Sequence, residues 1–548
     1  MTSKYLRQEF LSFFEKRGHK IVPSSSLLPS DPSVLFTTAG MQQFKPYYLG
    51  EKSPYGSNVV SCQKCFRTSD VEEVGDESHL TFLEMLGNFS FGGYFKEEAI
   101  KSAYDFLFKE LKLPLAEAVF TVFEGNENVP EDKESVEIWK KLGVPEDKIQ
   151  KKGKEDNFWG PTGEEGPCGP TTEIHLKGIE VWNLVFNEYY QDKNKKLTPL
   201  SQRGVDTGMG LERLAMIAQG GNSVFETDLF SPIINEITGE NEKAKRIIAD
   251  HVKGSIFLIQ EGVLPSNVER GYVLRRVLRR AIRYGKLLNL PKNFLIPLAQ
   301  KAIEIYNDIY PELRSNESDI VTVIQNEEEK FEKTLEDGLK QFEKGLDAFE
   351  LYTTYGFPLE LTIELAKEKG IKIDVEGFNK KFKEHQEISR AGAEKKFVGG
   401  LADHSEKTIK YHTAAHLMLA ALREVLGPEI YQKGSNITAE RLRFDFNYPQ
   451  KLSEEQIRKV EELVNQKIKE DLAVNCQEMT LKEAKEKGAM GVFEEKYGEK
   501  VKVYSIGEFS KEICGGPHVK MTSELGNFKI TKEESSGAGI RRIRAVLE

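Results

Sequence analysis

Asp206 and Arg213 share one short stretch, Val205-Asp206-Thr207-Gly208-Met209-Gly210-Leu211-Glu212-Arg213-Leu214. Gly208 and Gly210 carry no Cβ, so a ligand can approach the backbone closely there. From Leu211 the apolar spacing (Leu211, Leu214, Ala215, Ile217, Ala218) turns helical. The pattern predicts a strand that bears Asp206 and feeds a helix with Arg213 in its first turn. A carboxylate and a guanidinium at such a mouth hold an ammonium together with a planar or phosphorylated group. A plain glycine turn leading to a surface arginine is the competing reading. A second chemical set lies far downstream. His412 and His416, in His412-Thr413-Ala414-Ala415-His416, share one helix face, as two ligands of a divalent metal would. Cys514-Gly515-Gly516-Pro517-His518 offers a thiol and a third imidazole on a compact loop. A histidine pair satisfied inside a core fits the spacing equally well.

Several elements must position these groups. Residues 4–18 pattern as a helix ended by Gly18, and Val34 to Met41 as a buried strand. Cys62 to Arg67, a polar loop over 68–79, and His79 to Gly93 read as an antiparallel strand pair. Arg67 ends the first strand and Phe82 stands on the second. An arginine facing phosphate and an aromatic facing a base make a nucleotide cradle; a hairpin with a core phenylalanine accounts for the same residues. Cys62 and Cys65 have no second Cys/His pair nearby and read as structural. Residues 98–112 pattern as a helix. Asp156 to Gly160, with Trp159, and Gly166 to Ile174 read as a rigid wall ahead of a strand. The strand Glu180–Phe186 alternates, with Trp182, Leu184 and Phe186 on one side and Val181, Asn183 and Val185 on the other. Helices follow over 244–262 and 270–286. In the second, Val273, Leu274, Val277, Leu278, Ala281 and Ile282 form an apolar stripe. Arg275, Arg276, Arg279, Arg280 and Arg283 cover the rest, a phosphate-binding strip or an ordinary solvated face. A charged helix is expected over 317–348, short charged helices over 360–400 ending in a linker at 397–400, and a helix from a Ser405 cap to Gly427.

The bulk figures exclude some classes. A chain of 548 residues, 39% apolar and 30% charged, makes several globular domains. No apolar run is long enough to span a bilayer, and the start goes straight into an amphipathic helix without a signal peptide. Five cysteines make no disulfide framework at this length, so a reducing cytoplasm is expected. A net charge of −10 argues against indiscriminate nucleic-acid binding but not against a local basic face.

Taken in order, Phe66-Arg67, the run Thr81 to Gly92, Asp156 to Trp159, Gly166 to Ile174 and Val205 to Leu214 resemble the alanyl-tRNA synthetase family over nearly all of residues 1–230. The resemblance implies an α+β multidomain chain. Its parts would be a class II catalytic domain with a mostly antiparallel sheet (1–230), a helical tRNA acceptor-stem domain (231–395) and an α+β editing domain containing zinc (396–548). It implies that Arg67 holds the ATP α-phosphate and that Phe82 stacks on adenine. Arg213 would cover the other face of the base and the distal phosphates. Asp206 would pair with the alanine ammonium, and Trp159, Asn183 and Val185, with Gly208, would shape a methyl-sized pocket. ATP would arrive with Mg²⁺. A methyl pocket rejects glycine and serine poorly, because one small group changes binding by about 1–3 kcal/mol. The similarity of 405–546 to the family's editing domain answers that weakness. It implies Zn²⁺ on His412, His416, Cys514 and His518, with Gln432 placing a mischarged ester, although Pro517 replaces an expected threonine. Asn267 matches the family's asparagine that reads a G·U pair in tRNA(Ala), with Arg275, Arg276 and Arg279 on backbone phosphate. Thr353 stands where the partner aspartate belongs, and that role is not transferred. No β-barrel fits between the Gly356-Phe357-Pro358 run and the editing motif, and no C-terminal domain follows it, so a monomer is expected. The rival readings are a deacylase with a vestigial ligase half and a non-catalytic RNA-binding protein.

Overall fold

A computed structural model describes the chain apart from residues 32, 162, 384–404, 491–499 and 538. The linker expected at 397–400 and the boundary expected at 395/396 lie outside the described residues. The chain forms two compact units, Met1–Glu364 and Leu365–Glu548.

The first unit is built on a sheet of nine strands among the described residues. Its centre runs Asn58–Phe66, Phe82–Phe91, Leu197–Gly210, Ile179–Gln191, Gly166–Leu176, all antiparallel neighbours. Parallel pairs occur only towards the edges, at Lys20–Ile21 with the Asn58 strand and at Ala118–Phe123 with Ile149–Lys152. The mostly antiparallel sheet is therefore as expected. The stretch expected as a wall, Gly166 to Ile174, is itself a strand. Gly169 is required there, because a Cβ would meet the Phe186 carbonyl oxygen at 1.8 Å. Val34 to Met41 is not a strand. Its chain turns and enters the 3₁₀ helix Gly40–Phe44, with Gln42 Oε1 accepting the Thr38 and Ala39 amides. The helix expected over 98–112 is Lys96–Tyr104, continued by a π-helical turn, Asp105–Glu110.

Side chains of one sheet face point into a helical layer. Ser3–Glu15, capped by Thr2, lays Phe10 and Phe14 against Trp182, at 5.7 and 6.3 Å between ring centroids. Phe82 stacks on Phe257 of the helix Glu242–Gln260 at 3.9 Å and 7°. Thr81 donates its amide and hydroxyl to Asp250 (2.9 and 2.6 Å), and Lys253 donates to Glu212 at 2.6 Å. Glu84 accepts from Arg7 and from Tyr310. His251 Nδ1–H donates to Asp250 (2.8 Å), and its Nε2 accepts from Arg280 of the helix Glu269–Leu287 (3.0 Å). Arg280 also donates to the Val71 carbonyl at 2.9 Å, fastening the loop after Arg67. The boundary expected at 230/231 thus falls inside one shared interior. Breaking any one of these buried charged pairs from one side costs about 3–5 kcal/mol.

Among its described residues, the second unit carries two antiparallel sheets. One has the order Gln432–Ile437, Leu442–Asn447, Ile540–Leu547, Phe528–Gly537; the other is Val474–Thr480, Lys500–Ile506, Ser510–Ile513. The helix Glu406–Leu426 begins at a Ser405 cap and stops at Gly427, whose φ is +128°, as the residue pattern predicts. With Glu454–Lys469, opened by a Ser453/Gln456 capping box, it covers one face of the larger sheet.

Candidate active site and candidate metal centre

Alternate residues of three neighbouring strands make the floor of a cavity of about 250 Å³. Val185 pairs with Asp206 and Asn183 with Gly208, while Met85 pairs with Gly210 and Phe89 with Asp206 on the other side. The pleat sends Val181, Asn183, Val185, Asp206, Gly208, Leu83 and Met85 to one face. Gly208 is needed because a Cβ would press Met85 Sδ to 3.0 Å.

Asp206 is 6% exposed, and none of the described residues donates a hydrogen bond or ion pair to it. Burial pushes its carboxyl up to about 7. A buried acid that faces a cavity without a cation is poised to take one from a ligand. Asn183 donates to Glu173 at 3.0 Å and keeps its Oδ1 unpartnered. Trp159 closes one wall with its indole N–H unpartnered. Arg67 leaves the end of its strand with Nε–H on the Thr38 carbonyl at 3.2 Å, which sets the plane of the guanidinium. Arg213 stands in the first turn of Leu211–Gln219, held by the carbonyl and carboxylate of Glu180, both at 3.1 Å. Arg67, Trp159, Asn183, Val185, Asp206, Gly208 and Arg213 all line this one cavity.

Phe82 does not. It is fully buried on the opposite sheet face, against Phe257, and its neighbour Leu83 lines the cavity instead. The adenine role expected for Phe82 is corrected: a strand one residue out of phase turns every side chain over. Phe82→Ala should lower stability by about 3–5 kcal/mol. Its effect on ATP binding, measured by titration at a temperature where the variant is folded, should stay within about threefold.

The arginine strip is corrected at two of its five positions. Arg280 and Arg283 are buried. Arg275 donates to Asn267 Oδ1 and to the Pro265 carbonyl (3.0 Å), Arg276 pairs with Glu72, and Arg279 pairs with Glu327 at 2.7 Å. A helix that packs on both sides uses its arginines as internal cross-links. Thr353 is exposed and gives its hydroxyl to the Phe349 carbonyl of its own helix at 2.8 Å.

A family model described as tRNA synthetases class II (A) matches residues 5–439. An alanine–tRNA ligase of Treponema denticola is 49% identical, the alignment covering 100% of this chain and 99% of that one. The chain belongs to the alanine–tRNA ligase family. The ligase of Borreliella afzelii is 47% identical over the full length of both chains, and that of a Thermotoga species 41% identical, over 100% of this chain and 80% of its own. Residues 501–544 match a model described as the Threonyl and Alanyl tRNA synthetase second additional domain. The class II assignment of the sheet follows from membership.

That matched region carries half of the second site. His412, His416, Cys514 and His518 bring one donor atom each to within 4.8 Å of one another. His412 Nδ1–H donates to the Pro517 carbonyl at 3.0 Å, so its Nε2 accepts from the Cys514 thiol at 3.4 Å. Thr413 Oγ1 donates to the Ile409 carbonyl, so it accepts from His518 Nδ1–H at 3.1 Å. His518 Nε2 and His416 Nδ1 are buried without hydrogen-bond partners, although Glu512 Oε2 lies 3.8 Å from His416 Nδ1. Burial pushes His412 down to about 3, His416 to about 4 and His518 lower still, so all three imidazoles are neutral. Neutral imidazoles with orphaned nitrogens beside a thiol suit zinc. Pro517 keeps the loop compatible, since its carbonyl is what orients His412. Gln432 donates to Ser435 at 3.1 Å and is not among the four clustered residues. Cys62 and Cys65 belong to no such cluster among the described residues.

Proposed function

We propose that the protein joins alanine to tRNA(Ala) through alanyl-adenylate and hydrolyses seryl and glycyl esters formed in error. The carrying observation is Asp206, a buried carboxylate with no cation of its own, facing a pocket bounded by Val185, Asn183 and Trp159. It binds the amino acid's ammonium and leaves the substrate carboxylate free to attack the α-phosphorus of ATP. A P–O bond forms between the alanine carboxylate and the α-phosphorus as the bond to the β-phosphate oxygen breaks and pyrophosphate leaves; Glu173 and Glu180, which line the cavity, would hold Mg²⁺, which would supply neutralisation of phosphate charge. Arg67 and Arg213 neutralise phosphate charge in place, so the work is positioning and electrostatics. The tRNA 3′ end then takes the acyl group and AMP departs.

Zinc held by His412, His416, Cys514 and His518 would polarise an ester or a water. Gln432 would place the mischarged ester. Asn267, steadied by Arg275, contacts the acceptor stem, with Arg276 and Arg279 bordering it. No described helix is long and apolar enough to cross a membrane.

The test is ATP–pyrophosphate exchange. Alanine should drive it, with serine and glycine weaker by about 10- to 200-fold. Absence of alanine-dependent exchange sinks the ligase reading and leaves a deacylase. Charging of tRNA(Ala) transcripts with G·U against G·C at the wobble pair tests Asn267: a preference for G·U supports its role, and equal charging of both removes it.

A further inference from the structure

The larger sheet of Leu365–Glu548 has two unlike faces. Phe444, Phe446, Ile543 and Ala545 are buried under the helices. The alternate residues on the other face are charged. One cross-strand row runs Asn436, Arg443, Arg544, Lys532; the next runs Gly434, Asp445, Arg542, Glu534. Three cations therefore stand side by side in the first row, an arrangement that destabilises a sheet. Arg441 joins them through Asn436, at 3.4 Å.

The counter-charge falls short. Asp445 accepts two bonds from Arg542 (2.7 and 2.9 Å), and Glu534 is shared by Arg544 (2.9 Å) and Lys532 (2.6 Å). Among the described residues, Arg443 has only the Asp445 carboxylate, at 4.0 Å. Among the described residues, two carboxylates thus face five cations: Arg441, Arg443, Arg542, Arg544 and Lys532. Arg441 Nη1, Arg443 Nε and Arg544 Nε are buried without acceptors. This is a local excess on a chain whose net charge is −10. The row spans two strand spacings, about 10 Å, which is more than one phosphate group covers.

We propose that this face binds the sugar–phosphate backbone of tRNA, with Arg443, Arg544 and Lys532 on successive phosphates. The proposal rests on the reading above only for which RNA arrives. Such contacts hold the tRNA while its 3′ end is hydrolysed, and they carry no sequence information.

The test uses the full chain and uncharged tRNA(Ala) transcript, with affinity measured from low to moderate salt. Arg443→Gln with Arg544→Gln should make the slope of log K against log[salt] shallower by about 1.4–1.8, at about 0.7–0.9 for each phosphate left unneutralised. Low-salt affinity should fall at least about tenfold. Arg443→Lys with Arg544→Lys should restore most of the slope. Lys532→Glu, at an exposed side chain, should weaken binding without risk to the fold. Unchanged slopes in the Gln pair and in Lys532→Glu overturn the proposal. So does the breakdown of a protein–protein association, seen by light scattering, with tRNA binding intact. Alanine-dependent exchange is read in parallel: its absence in the unaltered protein defeats the ligase reading and leaves the salt slopes to judge this face.

Discussion

Asp206→Asn should cut alanine-dependent ATP–pyrophosphate exchange by about 10²- to 10⁴-fold while making the free protein more stable at pH 8. The loss follows from removing one partner of a buried ion pair, about 3–5 kcal/mol, at 1.36 kcal/mol per tenfold. The gain follows from the empty site. Burial raises the folded carboxyl to about 7, so the folded protein holds that proton more tightly than the unfolded chain. Stability from this group is complete below the ordinary carboxyl range and is lost as pH rises towards 7. Above that, keeping the charge buried costs on the order of 4 kcal/mol, which an amide does not incur. Melting curves at pH 5 and pH 8 check the stability side: the variant should gain at both, with the gain at pH 5 only about a third of that at pH 8. The KM for alanine in the unaltered protein should fall as pH rises through about 7, because only the ionised acid pairs with ammonium. An Asn variant with normal exchange ends the assignment.

His416→Ala should bring bound zinc from about one per chain to none measurable and slow Ser-tRNA(Ala) hydrolysis by more than about 10²-fold, the upper range for loss of a merely supporting residue. In this cluster of three imidazoles and a thiol, His416 Nδ1 and His518 Nε2 are buried without a hydrogen-bond partner to replace a metal. Alanine activation should stay within about twofold, since the adenylate pocket is built wholly from residues before Glu364. Metal analysis and separate assays of the two reactions check this. Zinc-free protein with full hydrolysis would remove the metal from the mechanism.

Much of this was legible in the residues. The glycines around Asp206 and the helical spacing after Leu211 placed the acid on a strand end and Arg213 in the next turn. Alternation in Glu180–Phe186 sorted Asn183 and Val185 from Trp182 correctly. The paired histidines and the Ser405 cap sat where helix geometry requires. Phe82 failed because Thr81-Phe82-Leu83-Glu84-Met85 offers an apolar residue on either phase. Only the partners, Phe257 behind Phe82 and Gly210 beside Met85, decide which face is wet. The arginine helix failed for a related reason: whether a cation meets water or an acid depends on Glu72, Glu327 and Glu364, all distant in sequence. Asn183 was found through alternation, but its tether to Glu173 carries no local signal.

The interior shared by the sheet and the helix Glu242–Gln260 governs how this protein can be divided. A chain split at residue 230 would leave Phe82 facing water, Thr81 without its acid and Glu212 without its ammonium. Neither fragment would be soluble alone, though co-expressed halves could complement. A protease nick near 230 is therefore harmless only while both pieces stay clasped.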